Sequence, residues 1–504
     1  MDINVRKTEY IALISSITII FIFHVITIRE GHIWGGDFAL YIQHALNIIN
    51  DLPYTNTGYI VNPVIPSVSP EAYPPVFPYI IAPLIKIFGL NIYALKISLI
   101  VILCISLVLF HKLIIPKINN SSLRILTIIL TGLSPWYWDY KDHVLSEFPF
   151  ILFFITFLIF TEKYLKRDTS SINTEILYGI AIGLTAYLTY GCRSIGLILI
   201  PVFIASYLIY KRRFSLALIL SSIIFIIGYG VQNEILNTDA SYANIATSGE
   251  YDIEGEVDNS FFKNGTVLRF LVDNSRTYFF VIERYWDNSF SITIRIITVI
   301  LTTFFLLIGL WNLIKIRNTS ELMVLAYTGL LLVVPFNQGS RYLLPIVPFY
   351  FLYILKGIEL YYNYSSKKKY ILPVITLSLM SLSYLGNYTQ MNYLAYQDHV
   401  EGKQAKLLYQ HIKKNLKKTD VIAFRKPRIL ALYTGNRSFS YDPPAKPDTL
   451  WKNFKEMKAD YLLTINTIEK EHSSNMKKLI AQHASKLNHV YSNKQFVLYK
   501  IISY

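Results

Sequence analysis

The stretch HIWGGDFALY, residues 32–41, places a carboxylate, Asp37, behind two glycines and a few residues past an apolar run long enough to cross a bilayer. A carboxylate at bilayer depth costs roughly 2.5–3.5 kcal/mol on insertion scales, so its setting is a wet cavity or a partner cation. There it can accept a proton, pair with a guanidinium or hold a metal ion. Glu147, in VLSEFPF, opens another apolar run. Arg341 in NQGSRY and Arg193 in YGCRSIG lie in links between such runs. A guanidinium offers a planar fork of donors that matches phosphate. The bland alternatives are interfacial solvation for the acids and snorkelling or a salt bridge for the arginines. Asp142 and His143 lie close enough to Glu147 for the three to hold a divalent cation, although their spacing fits no metal motif and a solvated loop is the competing reading. Tyr41 and Tyr73 can line a substrate path, and Tyr also belongs at membrane interfaces. Arg425, Lys426 and Arg428 form a basic run that can meet an anionic acceptor or lipid headgroup, or simply face water.

The elements that must position these groups follow from composition. Of 504 residues 53% are hydrophobic and only 16% charged, well below the charge of a soluble domain, so the chain is polytopic in a membrane. The net charge of +15 resides in short clusters between apolar runs and in the tail, with no basic stripe tied to a nucleic-acid motif. Two cysteines, Cys104 and Cys192, make neither a disulfide framework nor a metal site. The first apolar run has no small-residue cleavage site after it and reads as a retained span.

Apolar runs of spanning length lie at 8–28, 91–115, 122–138, 147–164, 175–191, 194–210, 214–232, 291–314, 320–337, 342–361 and 370–386. About eleven transmembrane helices are therefore expected. With Arg6 and Lys7 inside, the clusters Lys112/Lys117/Arg124, Lys163/Lys166/Arg167, Lys211/Arg212/Arg213, Lys315/Arg317 and Lys367/Lys368/Lys369 all fall on the cytoplasmic side. This N-in, C-out threading puts Asp37, residues 139–147, a large loop at 233–290 and the tail outside. YPPVFPYIIAPLIKIFG, 73–89, would reverse the pattern if it crossed, so it is expected to lie on or dip into the outer leaflet. Residues 38–50 make a second interfacial helix, and the first outer loop, 29–90, becomes a structured platform.

The composition changes near 387, dividing the chain into a membrane domain, 1–386, and a soluble extracytoplasmic domain, 387–504. EGKQAKLLYQHIKKNLKK and DTLWKNFKEMKA read as helices, and DVIAF, DYLLT, LNHVYS and FVLYKII as strands, which together make a small α/β unit.

Several segments carry a resemblance: GGDFALYIQHALNI, YPPVFPYIIAPLIKIFG, VLSEFPFILFF, GSRYLLPIVPFY and RKPRILALYTGNR, in this order and at these topological points. The chain resembles the C-type glycosyltransferase superfamily, in particular bacterial members similar to aminoarabinose transferases and protein O-mannosyltransferases. The resemblance implies transfer of a sugar from a polyprenyl-phosphate carrier to an acceptor lipid, glycan or protein, by a multi-pass protein of the inner or plasma membrane with its site on the extracytoplasmic face and with no nucleic-acid partner. It makes Asp37 the catalytic aspartate and Glu147 the second acidic position of the site. The family often has a second acid directly after the first, where this chain has Phe38, and a phosphate-binding Lys in the aminoarabinose branch is replaced around Tyr73-Pro74-Pro75.

Attack by a hydroxyl on a sugar carbon needs a proton acceptor, assigned to Asp37, while Arg341 and Arg193 stabilise the leaving phosphate. One base and a single displacement imply inversion. No cofactor is firmly expected, a divalent cation being the one candidate. A lipid or polysaccharide transporter or flippase would place charges along a path through the midplane, and a surface-polysaccharide polymerase or ligase would take a diphosphate-linked donor.

Overall fold

The computed structural model describes residues 3–64, 71–167, 171–236, 266–286, 292–316, 319–334, 339–364, 370–441, 445–465 and 473–504. Its helices are α1 (Ile3–Ile26), α2 (Asp37–Ile49), α3 (Val76–Phe88), α4 (Ile92–Ile114), α5 (Ser121–Gly132), α6 (Pro135–Tyr140), α7 (Glu147–Leu165), α8 (Ile172–Tyr190), α9 (Leu199–Lys211) and α10 (Leu216–Leu236). They continue with α11 (Thr266–Tyr285), α12 (Ile292–Lys315), α13 (Thr319–Val333), α14 (Ser340–Leu343), α15 (Val347–Tyr364) and α16 (Ile371–Gln390). Each of the expected apolar runs falls on a helix. Eight helices among the described residues are long and apolar enough to cross a membrane. The expected run 122–138 divides between the shorter α5 and α6, the run 320–337 lies on the shorter α13 up to Val333 with 335–337 outside the described residues, and α8 opens on the polar Asn173, Thr174 and Glu175. The α5 run breaks at Leu133-Ser134 and restarts at Pro135, whose fixed φ suits a first helical turn. The proline-bearing α3 has 13 residues, about 20 Å of helix against about 30 Å of hydrocarbon.

Caps set several of the starts. Asn91 accepts from the Ala94 amide at 3.1 Å to open α4, and Asn120 accepts from the Ser122 and Leu123 amides to open α5. Of the large loop expected at 233–290, residues 237–265 and 287–290 lie outside the described residues; between them runs the amphipathic α11, with its last turn docked by Tyr285, which donates to Ser134 Oγ at 3.0 Å.

Bundle packing relies on small residues where helices touch. A Cβ on Gly309 of α12 would come within 2.0 Å of the Tyr353 carbonyl oxygen, and one on Gly357 of α15 within 2.0 Å of the Phe305 carbonyl oxygen. Each glycine thus admits the other helix's backbone. Gly309→Ala should lower stability by about 1–3 kcal/mol through forced separation of α12 and α15. Thermal unfolding of the purified protein checks this; an unchanged midpoint would contradict the close packing.

The charges sort to the two ends of the bundle. At one end Arg124 donates to both Glu9 oxygens at 2.6 Å, and Lys117 is buried between Glu162 (2.8 Å) and Glu321 (2.9 Å). These groups stand at the start of α1, α5 and α13 and at the end of α7 or just past α4. Asp37, Glu147 and Arg341 lie at the other end, past α1 and at the starts of α2, α7 and α14.

The tail forms helices α17 (Lys403–Asn415), α18 (Pro427–Thr434), α19 (Pro447–Glu456) and α20 (Ser473–Gln482). Its strands are β2 (Val421–Ala423), β3 (Arg437–Phe439), β4 (Tyr461–Ile465), β5 (Leu487–Ser492) and β6 (Phe496–Ile501), and β1 (Tyr59–Ile60) comes from the first loop. The six-stranded sheet has the order β1-β3-β2-β4-β6-β5, parallel from β1 to β4 and antiparallel beyond. Because β1 pairs Tyr59 with Ser438 and Ile60 with Phe439, the first loop is hydrogen-bonded into the tail's sheet. Trp34 wedges between Phe424 and Phe496, and Asn62 donates to the Ser440 carbonyl at 2.8 Å. These contacts seat α18 against α2.

Candidate active site

Asp37 is the first residue of α2, with Gly36 at the cap position. Its Oδ2 accepts from Arg341 Nη1 at 2.7 Å, and its Oδ1 accepts from the Tyr73 hydroxyl at 2.9 Å and from Arg428 Nη1 at 3.0 Å. Burial alone would raise the Asp37 pKa, but the charges of Arg341 and Arg428, with hydrogen bonds from Arg341 and Tyr73, outweigh it and hold the carboxyl well below the usual range. Asp37 is therefore ionised at neutral pH.

Arg341 is a bridge. Its Nε donates to Glu147 Oε1 while its Nη1 reaches Asp37, so one guanidinium ties α14 to both α2 and α7. Arg193 donates to the same Glu147 oxygen. Glu147 Oε2 is buried and without a hydrogen-bond partner. With two carboxylates and three guanidiniums in contact, the cluster carries a formal charge of +1. Four of the expected site residues, Asp37, Glu147, Arg193 and Arg341, thus meet although up to 304 positions separate them.

Both tyrosines join them. Tyr73 stacks on Tyr41 with ring centroids 4.6 Å apart, and Tyr41 lies 3.1 Å from Ser146 Oγ, next to Glu147. Burial, followed by the Asp37 charge, pushes the Tyr73 hydroxyl up to about 12, so it stays a donor. Phe38, directly after Asp37, is fully buried with His32 stacked on it at 3.8 Å.

Asp142 and His143 go elsewhere. Asp142 is fully buried and accepts from Arg29 Nε at 2.8 Å and Lys141 Nζ at 2.7 Å, with Lys96 Nζ at 3.6 Å. Three cations saturate it, so it pins the first loop instead of lining the cluster. His143 stands beside His32, Tyr140 and Tyr396. The divalent-cation expectation for Asp142, His143 and Glu147 is corrected accordingly: among the described residues no three His, Cys, Asp or Glu side chains converge. A cavity of about 530 Å³ lined by Arg29, Glu30, Tyr93, Lys96 and Glu401 includes none of Asp37, Glu147 and Arg341.

In the sequence Arg428 stands in a basic run of the tail, with nothing to tie it to Asp37. The fold brings it there from 391 positions away, and its Nη1 also donates to the Tyr73 oxygen at 3.1 Å. No local signal marks such a contact; the quoted segment RKPRILALYTGNR was the one pointer.

No family model matches the chain, and no curated protein matches it by sequence. Solved structures do. The chain is similar to ArnT from Cupriavidus metallidurans bound to undecaprenyl phosphate, at 9% identity over 97% of each chain with a TM-score of 0.58. It is also similar to the oligosaccharyltransferase AglB from Archaeoglobus fulgidus in complex with an inhibitory peptide and a dolichol-phosphate, at 10% identity over 97% of this chain and 74% of that one, TM-score 0.58. The likeness runs through membrane helices and tail alike, and the chain has the fold of the C-type membrane glycosyltransferases.

Proposed function

We propose that this protein transfers a glycosyl group from a polyprenyl-phosphate sugar to a hydroxyl-bearing acceptor, with Asp37 as the base. The observation that carries the reading is the single cluster of two carboxylates and three guanidiniums, beside apolar helices, in a fold shared with proteins solved with polyprenyl phosphates. In the reaction the acceptor oxygen bonds to the anomeric carbon as its proton passes to Asp37, and the bond from that carbon to the phosphate oxygen breaks with its electron pair going to the phosphate. Arg341 and Arg193 turn toward the phosphate as its charge grows. Attack opposite the leaving group inverts the anomeric carbon. The unpartnered Glu147 Oε2 is placed to accept from a sugar or acceptor hydroxyl. The basic clusters between spans support a site on the extracytoplasmic side, with residues 387–504 as an extracytoplasmic unit. The ion-pair clusters gathered at the two bundle ends, with no file of such pairs joining them among the described residues, favour an enzyme over a transporter.

The test uses membranes carrying the full chain and labelled polyprenyl-phosphate sugars, with reporter fusions after residues 90 and 390 to fix the face. Label should leave the lipid in a protein-dependent way. Glu147→Gln raises the cluster's formal charge from +1 to +2, so it should bind polyprenyl phosphate more tightly yet turn over roughly 10- to 100-fold more slowly. Weaker binding of polyprenyl phosphate by this variant would contradict the assigned charge balance, and a cytoplasmic tail would refute the assigned face.

A further inference from the structure

We propose that Arg428, carried by the tail helix α18, is a positioning residue for the Asp37 base, and that Gly36 is the gap that admits it. The inference rests on Asp37 being the base. It makes the C-terminal unit part of the catalytic site and not an appended module.

The geometry is specific. A Cβ on Gly36 would lie 2.7 Å from Arg428 Nε and 2.9 Å from both its Cζ and Nη2, so any side chain there must push the guanidinium aside. Gly36 has φ −77°, a backbone conformation open to every residue, so conformation does not demand glycine at this position. Room for Arg428 does. The guanidinium that fills this room places one nitrogen, Nη1, between Asp37 Oδ1 (3.0 Å) and the Tyr73 oxygen (3.1 Å). Arg428 and Tyr73 thereby hold one carboxylate oxygen from both sides, and Arg341 holds the other.

A division of labour follows. When Arg341 turns to an incoming phosphate, Oδ2 is freed to take a proton, while Arg428 and Tyr73 keep the carboxylate ionised and aimed. The other groups facing Asp37 cannot replace Arg428. Arg193 is committed to Glu147, His32 is kept neutral by burial, and Lys426, which also senses Asp37, has its charge disfavoured by burial and by Arg425 and Arg428. The anchor of α18 is firm: β1 pairs with β3 immediately after that helix, fixing the tail to the loop that carries Asp37.

The experiment compares Arg428→Ala, Arg428→Lys, Gly36→Ala and the double variant Gly36→Ala/Arg428→Ala in the full-length protein, with Asp37→Asn as reference. Arg428→Ala and Gly36→Ala should each lower kcat by up to about 100-fold with KM for the donor little changed. Their acidic limb of kcat should move up by about one pH unit, because Asp37 loses a cation that favours its charged form. Arg428→Lys keeps a charge and should move that limb less. The double variant should be no worse than Arg428→Ala, since the added methyl acts only by displacing the guanidinium. Additive losses, or unchanged kcat and pH limb in Gly36→Ala, overturn the proposal even if Arg428→Ala fails to fold. Should Asp37→Asn keep full turnover, the reading of the base falls instead, which separates the two failures.

Discussion

Asp37→Asn should reduce turnover by roughly 10²- to 10⁴-fold, the contribution of a positioned general base, while the protein inserts and folds as before. Asparagine keeps the shape and can still accept from Tyr73 and Arg428 through its carbonyl oxygen, so packing at the start of α2 survives. It cannot take the acceptor's proton. The loss should therefore fall on kcat, with KM for the donor altered much less. Stability carries a second signature. Because the Asp37 pKa is depressed in the folded protein, its ion pairs contribute stability above the usual carboxylate value of about 3.9, and this is lost as pH falls below it. In Asp37→Asn that part of the acid dependence should disappear. Single-turnover rates and unfolding midpoints across pH measure the two effects.

Arg341→Ala should be as damaging by a different route. This guanidinium alone touches both carboxylates, with Nε on Glu147 and Nη1 on Asp37. Its loss takes the cluster from a formal +1 to neutral and removes a forked donor for phosphate. Polyprenyl phosphate binding should weaken by about 1.5–3 kcal/mol, the range for a hydrogen bond to a charged group, and turnover should fall by roughly 10²- to 10³-fold. Stability should fall by less than the about 3–5 kcal/mol typical of a broken buried pair, since Glu147 keeps Arg193 and Asp37 keeps Arg428. Arg341→Lys should restore little, because one ammonium cannot occupy the Nε and Nη1 positions together. Binding of polyprenyl phosphate to the purified variants, followed beside single-turnover rates, distinguishes this from a folding defect.

How much of this was legible in the sequence depends on range. Among the described residues, apolar runs marked each of the eight helices long and apolar enough to cross a membrane, because hydrophobicity over about 20 residues is a local signal. The strands LNHVYS and FVLYKII were legible for the same reason, and LNHVYS matches β5 end to end. The two-residue β1 was not, since Tyr59–Ile60 is a strand only by virtue of Ser438 and Phe439 beside it. Nor did periodicity announce α18 or α11. At the site, Asp37, Glu147, Arg193 and Arg341 could be placed at one end of the bundle by threading the chain, whereas Arg428 could not, its partner lying 391 positions away. Asp142 misled because its three cations, Arg29, Lys96 and Lys141, come from three segments. Lys117 and Arg124 were counted as orienting charges and prove to be buried in ion pairs with Glu162, Glu321 and Glu9.

The most direct test of the central claim is cleavage of the donor. Purified protein in lipid, given labelled polyprenyl-monophosphate sugars and the matching diphosphate-linked sugars with acceptor extract, should release polyprenyl monophosphate from the first set in step with glycosylation of the acceptor. Release from the diphosphate-linked set alone, or passage of intact labelled lipid across the membrane with no bond broken, would contradict it.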